Sequence, residues 1–576
     1  MTKSSFPVAL CSRRLFLWAI LALVLLCLPA LAHAGTYQSD LFVQLVLPES
    51  REGEAAQSRV LAYRDSKRTS LFLPSGWDRF YLSLHYPDTR TLYLNGNPFP
   101  SGSTLPSIET GSQITLTTDT GIVKYRLNVM LGTGIPSVFI QTDDPNIKRL
   151  NYSKDNRDTG ALLLYGANGM LQNNGRLSEI RGRGNSTFHI NFRKRAYQIR
   201  LDQGADLCGM GKARTYNLMA DYIDISLLRN RISMDIAKQI GIPCALDSQS
   251  VNLYLNNCYN GVYLLAEKVT VNPNRVDIYD LEKATEAVNG GSLEGYAKSR
   301  VIKPDSSWIV SYDIPNNPAD ITGGYILELD YFDRFTRARS GVRTSNGASF
   351  EIKEPTYVTF EQAEFICEIL SRYHRAILSK DGVDPKSGMR YDELVDTDSM
   401  ALVLIMQEFC KNYDNEASSM FFFKDADAVS TKVYAGPVWD FDRAYGSVET
   451  GYWLNSPHNM LYQTHNNKEK HYIYGNVFNN QADFNARVKE LYAERYLPAL
   501  ALLLGERERQ EGDALRSLAD YREEIEPSVR MNFTYWNSFT IKQIAKYSGQ
   551  TFDASYAYLE KFIIERRDTL IKNWLK

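Results

Sequence analysis

Between residue 40 and residue 131 apolar and polar positions alternate in short runs: "DLFVQLVLP", "TSLFLP", "FYLSLHYP", "TLYLNGNPFPSG" and "QITLTTDTGIVKYRLNVML". Asn-Gly, Pro-Ser-Gly and Asp-Thr-Gly turns separate them. Period-two alternation punctuated in this way predicts antiparallel strands, and residues 35–132 are expected to form a small all-β, Ig-like sandwich. From about Gly134 the texture becomes mixed. "SVFIQTDD", "GALLLYGANG" and "RAYQIRLD" read as strands. Leu228, Ile232, Ile236 and Ile240 recur every fourth residue before "GIP", which predicts a helix over 225–240. "SVNLYLNNCYNGVYLLAEKV" reads as a hairpin, residues 360–378 and 399–410 as helices, and "MFFFK" and "KVYAGPVW" as short buried strands. The tail from about Phe484 is helical and amphipathic. The expected fold class is therefore α+β over residues 133–576, preceded by the β domain.

The first 34 residues break this pattern. A basic start leads into "LFLWAILALVLLCLPALA" and then Ala32-His33-Ala34, the form of a signal peptide cleaved after Ala34. "SRRLFLW" also resembles a twin-arginine export signal, with Trp18 where Lys is usual. Export to the periplasm, cell surface or medium follows, with no integral membrane domain after cleavage. An uncleaved anchor is the second reading, because the run is almost long enough to span a bilayer. Composition adds little: 576 residues, 44% hydrophobic and 23% charged, describe an ordinary globular chain. A formal net charge of −2 gives no electrostatic reason to expect nucleic acid or an anionic membrane as partner. Five cysteines remain beyond the signal segment (Cys208, Cys244, Cys258, Cys367, Cys410), too few for a disulfide framework and at no zinc spacing.

Candidate chemistry sits in three places. "GPVWDFDRAYG" puts Asp440 and Asp442 one residue apart after an apolar strand. Paired carboxylates suit Mg²⁺, which usually shares them with substrate phosphates, although two turn-forming aspartates are the plainer reading of these residues alone. "KNYDNEASSMFFFKD" places Asp414 between a helix and a strand, a seat for a general base. "RGRGNSTF" lies between two strands and precedes a basic run. Glycines at Gly182 and Gly184 allow backbone N–H groups to approach phosphates. A tight hairpin turn is the plainer reading. In order, these are the parts of a phosphoryl-transfer site, although the H-R-D and D-F-G strings of protein kinases are absent.

Seven blocks carry a more specific signal: "IRGRGNSTF…RKRAYQIRL", "YNLMADYIDISLLRN", "VNLYLNNCYNGVYLLAEKV", "TGGYILELDYFD", "FEIKEPTYVTFEQAEFI", "NYDNEASSMFFFKD" and "GPVWDFDRAYG". In this order they resemble the spore coat protein H (CotH) kinase-like family, in its bacterial secreted branch. The resemblance implies an atypical protein-kinase-like domain using ATP and Mg²⁺ to phosphorylate Ser or Thr of a protein at the cell envelope or surface. By position it implies Asp414 as the catalytic aspartate, Asp440 as metal ligand with Asp442 as a second carboxylate, and Lys194 as the phosphate-contacting cation, with Arg195 and Arg200 as rivals. Gly182, Gly184, Asn185 and Ser186 would form the phosphate loop. Glu267 would pair with the Lys or face the nucleotide base. Ser419 stands where some members carry Asn for a second metal ion, and it is a weaker ligand. Two rival functions remain open at this stage: a non-catalytic surface-assembly or adhesion protein that keeps the fold, and transfer of AMP instead of phosphate.

Overall fold

The computed structural model describes residues 42–46, 57–60, 63–64, 69–75, 81–85, 91–105, 109–118, 121–184, 188, 193–256, 258–448, 453–464, 470–536, 549 and 551–576. The signal segment lies outside them. The chain divides into two compact units, the first drawn from residues before Leu131 and the second running from Leu131 to Lys576 with two short stretches from earlier in the chain.

Ten strands lie mainly in the described residues of the first unit: β1 (Phe42–Val46), β2 (Gln57–Val60), β3 (Tyr63–Arg64), β4 (Thr69–Pro74), β5 (Tyr81–His85), β6 (Leu92–Leu94), β7 (Asn97–Pro98), β8 (Thr104–Leu105), β9 (Gln113–Thr118) and β10 (Gly121–Gly132). They form a four-stranded sheet, β2-β1-β5-β8, and a six-stranded sheet, β3-β4-β10-β9-β6-β7. Leu71, Phe72, Leu92, Ile114, Leu116 and Leu127 are buried within this unit.

The second unit begins with seven strands: β11 (Ser137–Thr142), β12 (Arg157–Tyr165), β13 (Leu171–Arg183), β14 (Ala196–Asp206), β15 (Lys212–Met219), β16 (Ser248–Leu255) and β17 (Cys258–Glu267). They close into a barrel in the order β11-β12-β13-β14-β15-β17-β16. Closure comes from one parallel pairing, Ser137 opposite Asn252 through Ile140 opposite Leu255. Leu162, Leu164, Ile180, Ile199, Leu218, Val251, Leu253 and Leu265 fill the core, as expected where alternate residues of every strand turn inward.

Seven further strands follow: β18 (Lys298–Ile302), β19 (Trp308–Tyr312), β20 (Tyr325–Leu329), β21 (Ser340–Arg343), β22 (Ser349–Glu354), β23 (Met420–Lys424) and β24 (Tyr434–Val438). Their order is β18-β19-β21-β22-β20-β23-β24. Among the described residues five helices of at least twelve residues accompany them: α1 (Arg229–Ile240), α2 (Phe360–Leu378), α3 (Thr397–Cys410), α4 (Leu518–Tyr535) and α5 (Phe552–Leu570). From Ser399 to Cys410 every residue of α3 is buried, so it runs through the core of this region and shows no polar face. A third apolar cluster joins barrel to sheet: Met219, Leu264 and Ala266 meet Ile326, Phe421, Phe423 and Trp439.

The element types follow the sequence pattern, with one instructive difference. The helix predicted over 225–240 starts at Arg229. Asp224 takes the preceding turn, accepting hydrogen bonds from Ser226 N at 2.9 Å, Leu228 N at 3.2 Å and Arg229 N at 2.9 Å. A carboxylate that satisfies the free N–H groups in this way ends the need for helix there. The five cysteines beyond the signal segment are free thiols. Among the described residues no helix is long and apolar enough to cross a membrane.

Candidate functional site

Helix α3 ends at Lys411, whose left-handed backbone (φ +47°) turns the chain into the loop that carries Asp414. Two anchors fix that loop. Buried Lys411 donates to Trp453 O at 3.0 Å, to Ser456 O at 2.7 Å and to Asn459. Buried Glu416 accepts from Ile473 N at 3.0 Å and Gly475 N at 2.6 Å. Asp414, half-buried between them, is left with little freedom to move.

Asp440 follows β24, and it is tied to the same loop. Asn412 donates to its carbonyl at 3.2 Å, and the Ser419 hydroxyl to its carboxylate at 3.4 Å. On the other side Phe441 N donates to Asn230 Oδ1 at 2.6 Å, while Asn230 Nδ2 donates to Asp221 Oδ1 at 2.7 Å. Asn230, in the first turn of α1, therefore couples the Asp440 turn to Asp221 just past β15. Asp221, Ser419 and Asp440 all hold left-handed backbone, with φ of +43°, +59° and +67°. Such conformations are costly for residues other than glycine and cluster at functional sites.

The electrostatics are those of crowded acid. Burial pushes Asp414 up to about 7, and the Asp440 carboxylate pushes in the same direction. Asp442, 8% exposed, is driven well up by burial and then by Asp440, Asp221 and Asp414. Asp440 is raised by burial against the opposing pull of Arg183. Among the described residues neither the Asp414 nor the Asp442 carboxylate accepts a hydrogen bond. Buried carboxylates in a native fold are normally paired or bonded, so this set fits a cation. Among the described residues no group of three or more His, Cys, Asp or Glu side chains closes on one point.

Lys194 precedes β14 and is 2% exposed. Its ammonium donates to Val262 O and lies 4.7 Å over the Tyr263 ring. Burial lowers it to about 7, opposed by the Asp221 carboxylate. Of its rivals, Arg200 is exposed and Arg195 is half-buried over the Phe188 ring, 4.6 Å from its centroid. Gly182 and Gly184 sit at the end of β13 and just beyond it, while Asn185 and Ser186 lie outside the described residues. Gly182 has a packing reason of its own, since a Cβ there would come within 2.2 Å of the Phe188 ring. Glu267, at the end of β17, takes Arg275 as its ion-pair partner and accepts from Asp247 N at 2.9 Å, so it does not pair with Lys194.

A model of the family described as CotH kinase protein matches residues 180–570, more than half of the chain. The chain belongs to the CotH kinase family. The match takes in every element that positions the acidic residues of this CotH domain, from the end of β13 to α5. No curated protein matches the chain. Four participants were not singled out by the sequence as site residues. Asp221 and Asn230 lie in the block "YNLMADYIDISLLRN", where an Asp before a helix reads as an ordinary cap. Glu328 and Asp330, on and just beyond β20, looked architectural. Glu328 adds its charge to those acting on Asp440, and Asp330 to those acting on Asp414. Their membership of a family block was the available signal.

Proposed function

We propose that the chain transfers a phosphoryl group from ATP, with Mg²⁺, to a Ser or Thr hydroxyl of an envelope, coat or secreted protein. One observation carries this reading: Asp414, Asp440 and Asp442 lie on two adjoining loops, the Asp440 charge pushes both of the others up, and the Asp414 and Asp442 carboxylates accept no hydrogen bond among the described residues. Asp414 is the group to orient the acceptor hydroxyl and take its proton, since a carboxyl near 7 exchanges protons readily at neutral pH. Asp440 and Asp442 would hold Mg²⁺, which when bound neutralises phosphate charge. Ser419 supports Asp440 through its hydroxyl. Lys194 acts through Asp221, and Asn230 passes that position on to the Asp440 turn. Catalysis in such a site comes mainly from positioning and fixed charge, which the Lys411 and Glu416 anchors and the left-handed turns serve. In this reading residues 35–132 form an Ig-like domain that binds or positions a partner, and residues 1–34 direct export.

The test is label transfer to envelope protein from ATP labelled at either the γ- or the α-phosphate. Label from the γ position alone supports phosphoryl transfer. Label from the α position establishes AMP transfer, and none from either leaves a scaffold with a kinase-like fold.

A further inference from the structure

Most cations around the acidic residues are already engaged. Lys194 is committed to Val262 O and answers to Asp221. Arg334 donates to Asp330 Oδ1 at 3.2 Å. Arg443 lies 3.5 Å over the centroid of the Tyr413 ring. Arg183, the last residue of β13, differs from all of these. Its guanidinium rests over the indole of Trp439, 5.0 Å from the ring centroid. Among the described residues it makes no hydrogen bond and no ion pair. Burial is the largest influence on it, and Asp440 is the strongest of the charges that favour its cationic form, with Glu328 and Asp442 behind.

Arginine keeps its charge in proteins and presents five N–H donors in a planar fork. The residue is half-buried and its fork meets no acceptor among the described residues, which leaves several N–H donors open to a ligand with several oxygens. Trp439 supplies the platform. It is 7% exposed, belongs to the apolar cluster that joins barrel to sheet, and directly precedes Asp440. A cation stacked on such a face is attracted by the ring's quadrupole and loses freedom to swing away. Arg183 also pairs with Ala196 across the β13–β14 ladder, which fixes its backbone directly before Gly184.

We propose that Arg183, held flat on Trp439, takes the terminal phosphate of the nucleotide beside Asp440. The proposal rests on the nucleotide reading of the same site and adds its specificity determinant: the residue that tells a triphosphate from a shorter chain. A guanidinium fork meets two phosphate oxygens at once, whereas a lysine at that place offers a point charge.

Calorimetric titration of the whole chain with Mg·ATP, Mg·ADP and adenosine tests it, using wild type, Arg183→Gln and Arg183→Lys. Both substitutions are expected to weaken Mg·ATP binding about tenfold or more, Mg·ADP binding less, and adenosine binding not at all. Arg183→Lys keeps the stem and charge and guards against a fold defect in Arg183→Gln. Unchanged Mg·ATP affinity in both variants, with a wild type that binds, overturns the role of Arg183 and leaves the nucleotide site standing. Equal losses for Mg·ATP and adenosine also overturn it, because only a structural role would act alike on both. A wild type that binds none of the three overturns the nucleotide reading and this assignment together.

Discussion

Replacing Asp414 by Asn should make the protein more stable at pH 8 while removing its activity. The folded carboxyl titrates at about 7 against 3.8 for an unperturbed one. A group held above its unfolded value binds more protons in the native state. Its cost to folding therefore grows as pH rises from about 4, and is complete above about 7. The full shift corresponds to about 4 kcal/mol at 1.36 kcal/mol per unit. Partial exposure of Asp414 and protonation shared with Asp440 reduce this to about 1–3 kcal/mol. For a chain of this size that is a rise of about 1–3 °C in Tm. Scanning calorimetry of wild type and Asp414→Asn at pH 8 and pH 5 measures it, and the gain at pH 5 should be less than half that at pH 8. Mg²⁺ should stabilise wild type more than the variant. A variant that melts below wild type at pH 8, or a gain equal at both pH values, would refute the reasoning.

Two further expectations concern the supports of the site. Glu408 and Arg566 form an ion pair with both side chains fully buried, and Glu408 also accepts from Leu461 N at 2.6 Å and Tyr462 N at 3.0 Å. Arg566→Met leaves the Glu408 charge uncompensated and should cost about 3–5 kcal/mol in chemical denaturation, part of it recovered by adding Glu408→Gln. Asn230→Ala strips Phe441 N and Asp221 of their shared partner and should cost about 1–3 kcal/mol, with a fall in Mg·ATP affinity that a purely structural defect elsewhere would not produce.

What the sequence reveals depends on how local each determinant is. Helix α2 spans the predicted residues because its limits are written locally: Thr359 and Gln362 exchange hydrogen bonds in a capping box at its start. Helix α3 starts at Thr397, two residues before the predicted Ser399, because its cap is Asp396, whose side chain accepts from Ser399 N. The barrel is legible strand by strand but not as a closed barrel. Closure depends on β11 lying parallel to β16, a pairing between segments over a hundred residues apart that no hydrophobic period encodes. The acidic positions Asp414, Asp440 and Asp442 stood out as carboxylates beside apolar strands. Their supports did not, because Asp221, Asn230 and Arg183 do ordinary work in sequence terms: a cap, a first-turn residue and a flank of two glycines. Only the packing of α1 and β13 against the Asp440 turn gives them their roles. Glu267 shows the reverse. Its block suggested either the lysine or the nucleotide base, and of these the lysine gives way to Arg275 in the fold.

In the proposed function Asp440 and its neighbours hold a nucleotide through a divalent cation. Calorimetric titration of ATP into wild type and Asp440→Ala, each with and without Mg²⁺, tests it most directly. Binding that requires Mg²⁺ in wild type and disappears in Asp440→Ala is the predicted result. Binding indifferent to Mg²⁺ and to the substitution, or no binding by wild type, would contradict it.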